Sequence, residues 1–292
     1  MTYAEHWFES HDGLKLFSRV YATSTASAPV VLCLHGLTRN SRDFEDLAPH
    51  LARRYRVIVP DVRGRGLSQR DSDPNNYKMP VYLRDLELLL GGLGAEKVAI
   101  IGTSMGGLMA MTLAATRPER VSRIVLNDVG PELAPAGLER IRRYAGRSPV
   151  VATWAEAVAQ LRQIFGAAWP NLAEARWEAI ARRSYRMNVA GMLEPDADPM
   201  IGEVVRNSAG AGRELWPLWG GLRQVPMLAL RGQLSELLSA QTLARMQREK
   251  PDLQTAIIAE RGHAPLLDEP ECLDRIDRFL EAQPPPPKTS PT

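Results

Sequence analysis

Apolar residues follow two rhythms that alternate along this chain. Short, nearly unbroken apolar runs occupy residues 29–35, 56–60, 97–101, 121–127 and 225–230. Such runs suit strands covered on both faces of a sheet. Between them lie helical stripes. Phe44, Leu47, Ala48 and Leu51 share one face within 41–54, and Leu83, Leu86, Leu89, Leu90 and Leu93 share one within 81–93. Residues 104–116 form a further helix rich in Met, Ala and Leu. The pairs 5–10 and 14–23, flanking Asp12-Gly13, read as a β-hairpin. A helix at 240–250, a strand at 254–259 and a helix at 270–282 close the pattern. This alternation predicts an α/β fold with a mainly parallel, eight-stranded sheet and helices on both faces.

The rhythm fails once. Residues 131–223 show helical patterning and no strand, and hold five of the six tryptophans. The expected organisation is a core from residues 1–130 and 224–282, an inserted helical cap at 131–223, and a proline-rich disordered tail at 283–292. A cap over a sheet edge covers the ligand site, so Trp169 and Trp216 are candidate substrate-binding residues.

Composition narrows the classes. A formal net charge of +2, spread along the chain, gives no footprint for nucleic acid. Cys33 and Cys272 stand in no metal-ligand spacing and are too few for a disulfide framework. No apolar run reaches the length of a membrane span, and the first ten residues lack the pattern of a secretory signal. The expectation is a cytoplasmic protein, a monomer or small homo-oligomer. Nothing in the composition points to a nucleic-acid or membrane partner.

In a parallel α/β sheet, chemistry gathers at the carboxyl ends of strands. Gly102-Thr103-Ser104-Met105-Gly106 lies where a strand turns into a helix. This is the nucleophile-elbow pattern, in which a strained turn raises the serine hydroxyl above the sheet edge. It makes Ser104 the candidate nucleophile. The amide of Met105, at the helix start, becomes a donor to a developing oxyanion. His35-Gly36-Leu37 ends an earlier strand and offers the Leu37 amide as the second donor, with His35 itself structural. His263, on the loop after the last strand, fits the general base. The third member should be a carboxylate between Ser104 and His263 in the chain. Strand-end placement favours Glu236, with Asp128 as the alternative acid. Asp61 and Arg63 read as braces of a glycine-bearing loop.

His35-Gly36, Asp61-x-Arg63-Gly64-x-Gly66-x-Ser68, Gly102-x-Ser104-x-Gly106 and Gly262-His263 together resemble the α/β-hydrolase superfamily. The resemblance spans residues 5–130 and 224–282. It is strongest to the branch with a helical cap, which holds esterases, lactonases, epoxide hydrolases, dehalogenases and carbon–carbon bond hydrolases. Relatives usually carry Asp in the segment containing Glu236. Epoxide hydrolases and haloalkane dehalogenases place Asp where this chain has Ser104, so the resemblance implies neither. It implies a serine hydrolase acting on a small ester-like substrate, a carboxylic ester, lactone or thioester, with no cofactor and no metal. One alternative is hydrolysis of a carbon–carbon bond in a ring-fission diketone, for which Arg143, Arg182 and Arg183 could bind an acidic substrate. The other is a non-catalytic binding or receptor protein on the same scaffold.

Overall fold

The computed structural model describes residues 2–25, 27–207 and 215–282; the expected tail lies outside the described residues. The chain opens with the hairpin β1 (Ala4–Glu9) and β2 (Lys15–Tyr21). It then alternates through β3 (Val30–Leu34), α1 (Leu47–Leu51), β4 (Arg56–Asp61), α2 (Met79–Gly92), β5 (Val98–Thr103), α3 (Met105–Thr116) and β6 (Val121–Asn127). An excursion follows, made of α4 (Pro135–Tyr144), α5 (Trp154–Phe165), α6 (Glu174–Ser184), β7 (Tyr185–Met187), β8 (Leu193–Pro195) and α7 (Pro199–Asn207). The chain returns through α8 (Trp216–Gly221), β9 (Met227–Gly232), α9 (Ala240–Glu249), β10 (Gln254–Ile258) and α10 (Pro270–Glu281).

Eight strands form one sheet in the order β1-β2-β4-β3-β5-β6-β9-β10. The β1–β2 and β2–β4 pairs are antiparallel and the rest are parallel. The unbroken apolar runs are explained by burial on both faces. Leu32, Leu34 and Ile100 pack toward α2, α3, α8 and α9, while Val31, Cys33 and Ile101 pack toward α1 and α10. On α10, Cys272, Ile276, Phe279 and Leu280 form the inward stripe. Each such large side chain contributes about 1.5–3 kcal/mol by leaving water.

Two sequence expectations change here. Residues 41–54 do not form one helix. A 3₁₀ turn over Ser41–Phe44 is followed by the short α1. Pro49 has no N–H to offer the carbonyl of Glu45, so the helical ladder cannot run through. Nor is the excursion wholly helical: β7 and β8 pair antiparallel, Tyr185 opposite Pro195 and Met187 opposite Leu193.

The excursion has its own core, in which Val158, Leu161, Phe165, Trp169, Trp177, Ile180, Tyr185 and Leu193 are buried together. Helix α8 behaves differently. Trp216, Trp219 and Leu222 are buried with Met109, Leu113 and Leu126, so this end of the expected cap packs on α3 and the sheet.

Candidate active site

Ser104 sits between β5 and α3 with φ 52° and ψ −114°. Few side chains adopt this region, and the surrounding packing must hold it there. That packing depends on glycine at both flanking positions. A Cβ on Gly106 would stand 2.1 Å from the Leu34 carbonyl oxygen, and one on Gly102 would stand 2.5 Å from the Gly106 backbone. The two glycines let β3, β5 and α3 approach closely enough to force the turn. The Ser104 amide donates to the Asn127 carbonyl at 3.1 Å, tying the elbow to the end of β6.

The Ser104 hydroxyl lies 2.9 Å from Nε2 of His263. The other ring nitrogen, Nδ1, lies 2.8 Å from Oδ2 of Asp128. The carboxylate accepts, so Nδ1 carries the proton and Nε2 is left free to accept from Ser104. Asp128 is fully buried (0% exposed) and takes a positive φ of 57° directly after β6. Its own amide donates to Leu230 at 2.8 Å. Its carboxylate is completely served: Oδ1 accepts from the Gly232 amide at 2.8 Å, and Oδ2 accepts from the Ser235 hydroxyl at 2.6 Å as well as from His263.

Glu236, favoured from the sequence as the acid, is not brought to His263. Its side chain is 55% exposed and pairs with Arg140 at 3.2 Å. The segment 232–236 turns instead so that Gly232 and Ser235 point their donors at Asp128, which carries Glu236 outward. The charge beside the imidazole therefore comes from the end of β6, and the β9 loop holds it in place. Ser235 and Asn127 were missed by sequence reasoning. Asn127 bridges Thr103 at 3.0 Å and the Pro265 carbonyl at 2.9 Å, linking the elbow to the loop of His263. The available signal for Asp128 was its position at the first residue beyond an apolar strand, a position it shared with the competing segment.

Leu37 lies in the cleft beside Ser104, and Met105 opens α3. The two residues belong to different elements, the loop after β3 and the start of α3. His35 is wholly buried behind them: Nδ1 bonds the Gly36 carbonyl at 2.8 Å and Nε2 accepts from the Val62 amide at 3.0 Å. Burial is the main cause that pushes its pKa down to about 4, so His35 stays neutral and braces the loop. Arg63 is clasped by Asp12, Asp71 and Asp85, and Asp61 accepts from the amides of Ser41 and Leu67, also as braces.

The cleft above Ser104 has apolar walls from Leu37, Phe44, Ile141, Phe165, Trp169 and Leu266. Trp169 also donates from Nε1 to the Ala264 carbonyl at 2.9 Å and stacks on Phe165 at 4.9 Å. Trp216 is elsewhere. Its Nε1 donates to Glu132 at 2.8 Å, its ring meets Trp219 edge-on, and Arg245 covers its face at 3.8 Å. The pairing of α8 with α3 removes it from the cleft, so Trp216 packs the core and does not line the site.

A serine on a strained elbow, an imidazole and a buried carboxylate in one hydrogen-bonded line define a hydrolase architecture, and the sequence agrees. The chain matches the family model of the alpha/beta hydrolase fold over residues 29–270 and belongs to that family. It is 35% identical over 274 residues to a 3-hydroxybutyrate-oligomer hydrolase of Cupriavidus necator, which spans 87% of this chain and 89% of that protein. It is 28% identical over 257 residues to a 2-(acetamidomethylene)succinate hydrolase of Mesorhizobium japonicum, spanning 88% and 89%. Among solved structures, an alpha/beta hydrolase from Novosphingobium aromaticivorans superposes with a TM-score of 0.91 at 44% identity, spanning 96% of this chain and 99% of that one. The chain is a hydrolase of this family. Among the described residues, no helix is long and apolar enough to cross a membrane.

Proposed function

We propose that this protein hydrolyses a carboxylic ester through an acyl-enzyme on Ser104. The observation that carries the reading is the continuous line from the Ser104 hydroxyl through His263 to Asp128, with spacings of 2.9 and 2.8 Å. His263 Nε2 takes the hydroxyl proton as Oγ attacks the ester carbonyl carbon. The resulting oxyanion is held by the amides of Leu37 and Met105. Collapse breaks the bond to the alkoxy oxygen, which leaves with the proton from His263. Water then gives a proton to His263 and attacks the acyl carbon, and the acid departs as Ser104 regains its hydrogen. Asp128 keeps the imidazole in the correct tautomer and stabilises the imidazolium in both halves of the reaction.

The apolar walls of the cleft suit a short acyl or alkyl group. A relative named for a 3-hydroxybutyrate oligomer supports short hydroxy-acid oligoesters as the first substrates to try. The arginines considered for an acidic diketone give less support to carbon–carbon cleavage. Arg143 pairs with Glu139 on the surface, Arg182 stacks on Trp154, and Arg183, which does line the cleft, is engaged by Glu45 and Asp46.

The test is labelling by a fluorophosphonate, followed by a panel of p-nitrophenyl esters, lactones, thioesters, hydroxybutyrate dimers and trimers, and ring-fission diketones. Labelling at Ser104 with turnover of esters is expected. Turnover of the diketones alone would replace ester cleavage by carbon–carbon cleavage. A folded protein that is not labelled would be a binding scaffold.

A further inference from the structure

Arg65 is a cation buried without an anion. It is 1% exposed. Arg63, two residues earlier, is clasped by carboxylates. Around Arg65, none lies within 4.0 Å among the described residues. Its partners are neutral. Nε donates to the Leu37 carbonyl at 2.9 Å, and Nη1 donates to the Arg63 carbonyl at 2.7 Å and the Tyr82 hydroxyl at 3.1 Å. Nη2 faces the sulfur of Met105 at 3.6 Å. The rings of Tyr77 and Tyr82 cover the guanidinium at 5.5 and 5.1 Å. Carbonyls, a phenol and aromatic faces hold a cation in place without cancelling its charge.

Burying an uncompensated charge is costly, and the neighbouring brace Arg63 avoids it through its carboxylate partners. On the cleft side, Arg65 touches the Leu37 carbonyl and the Met105 sulfur, on the two residues proposed above as oxyanion donors. We infer that Arg65 is a positioning residue for the oxyanion hole: it holds the Leu37 carbonyl and the Met105 side chain, and it places an uncancelled positive charge beside the two residues that supply the donors. The inference rests on the serine mechanism proposed above. A neutral ester carbonyl interacts weakly with that charge, and the oxyanion interacts strongly. The effect belongs to the transition state rather than to substrate binding. The charge is felt on the same loop: burial is the larger cause of the lowered His35 pKa, and Arg65 lowers it further.

The test compares Arg65→Met, Arg65→Gln and Arg65→Lys in the full chain. The readouts are kcat and KM on p-nitrophenyl butyrate, inhibition by phenylboronic acid, and Tm. Phenylboronic acid adds to a serine as a tetrahedral anion. The neutral variants are expected to lose kcat about 10–100-fold with KM within about threefold, and to lose boronic-acid affinity by a similar factor, less than the roughly 10²–10³-fold cost of a missing oxyanion donor because both amides remain. Arg65→Lys keeps the charge and is expected to recover most of both. Wild-type kcat and boronic-acid affinity in a folded neutral variant would overturn the inference. So would a Lys variant no better than Gln, or failure of both neutral variants to fold, which would make Arg65 a brace only. If the wild type is neither labelled at Ser104 by fluorophosphonate nor inhibited by phenylboronic acid, the serine mechanism itself has failed.

Discussion

Ser235 and His263 meet at one atom: both donate to Oδ2 of Asp128, at 2.6 and 2.8 Å. The hydroxyl belongs to the loop after β9, where relatives of this family usually carry the acid itself. Here the carboxylate that meets His263 stands at the end of the neighbouring strand β6, and the loop after β9 supplies a donor to it. The arrangement predicts opposite outcomes for two conservative substitutions. Asp128→Asn should lower kcat by roughly 10⁴-fold, because an amide no longer enforces the tautomer or offsets the imidazolium charge. Glu236→Gln removes one exposed ion pair, worth about 0–1 kcal/mol, and should leave kcat within about twofold. Steady-state kinetics on any turned-over ester decides the ranking, and the reverse order would restore Glu236 as the acid.

Ser235→Ala should have an intermediate effect. It strips one of three donors from a buried carboxylate and leaves the charge in place. A hydrogen bond to a charged group is worth about 1.5–3 kcal/mol, so kcat should fall by roughly 10–100-fold. Ser235→Thr, which keeps the hydroxyl, should recover part of it. Equal kcat in Ser235→Ala and wild type would mean that Gly232 and His263 alone hold Asp128.

The two tryptophans should separate by readout. Trp169→Phe removes a wall of the cleft and the bond to Ala264, and should change KM and the ranking of acyl chain lengths. Trp216→Phe thins the packing of α8 on α3. It should cost about 1–3 kcal/mol in stability while leaving KM within about twofold. Denaturant unfolding alongside KM measurements checks both; a KM change in Trp216→Phe without lost stability would return it to the substrate site.

His35 gives a pH dependence whose sign is fixed. Its pKa is pushed from 6.5 down to about 4 in the fold. Between those values the unfolded chain binds a proton that the folded chain refuses. Stability from this group is therefore fully present above 6.5 and is lost as pH falls toward 4, by roughly 3 kcal/mol at most. Unfolding free energies from pH 7.5 to 4.5 should decline accordingly, and His35→Asn should flatten that decline even though it lowers stability overall. Identical slopes in both proteins would show that the proton goes elsewhere.

Much of this was legible in the chain because the underlying forces are local. Strands β3, β5 and β6 announced themselves as apolar runs, since a strand covered on both faces has no room for polar residues. Ser104 was legible because its turn needs glycine at 102 and 106. What escaped depends on tertiary direction. Asp128 and Glu236 both follow strands, and choosing between them requires the positive φ that turns Asp128 toward the imidazole. The pairing of β7 with β8 involves three residues on each side, too few to show a period of two. Trp216 and Trp169 look alike in sequence; what separates them is that α8 packs on α3 while Trp169 sits beside the loop of His263.

That last contact has a mechanical meaning. The Ala264 carbonyl accepts from Trp169, and the Gly262 amide donates to the Ala168 carbonyl at 2.6 Å, so the peptides on either side of His263 are stitched to the excursion. Any displacement of that part of the excursion has to break these two bonds or carry the His263 loop with it. The spacing of His263 from Ser104 is thereby coupled to the seating of Trp169 and Ala168, residues remote from it in sequence.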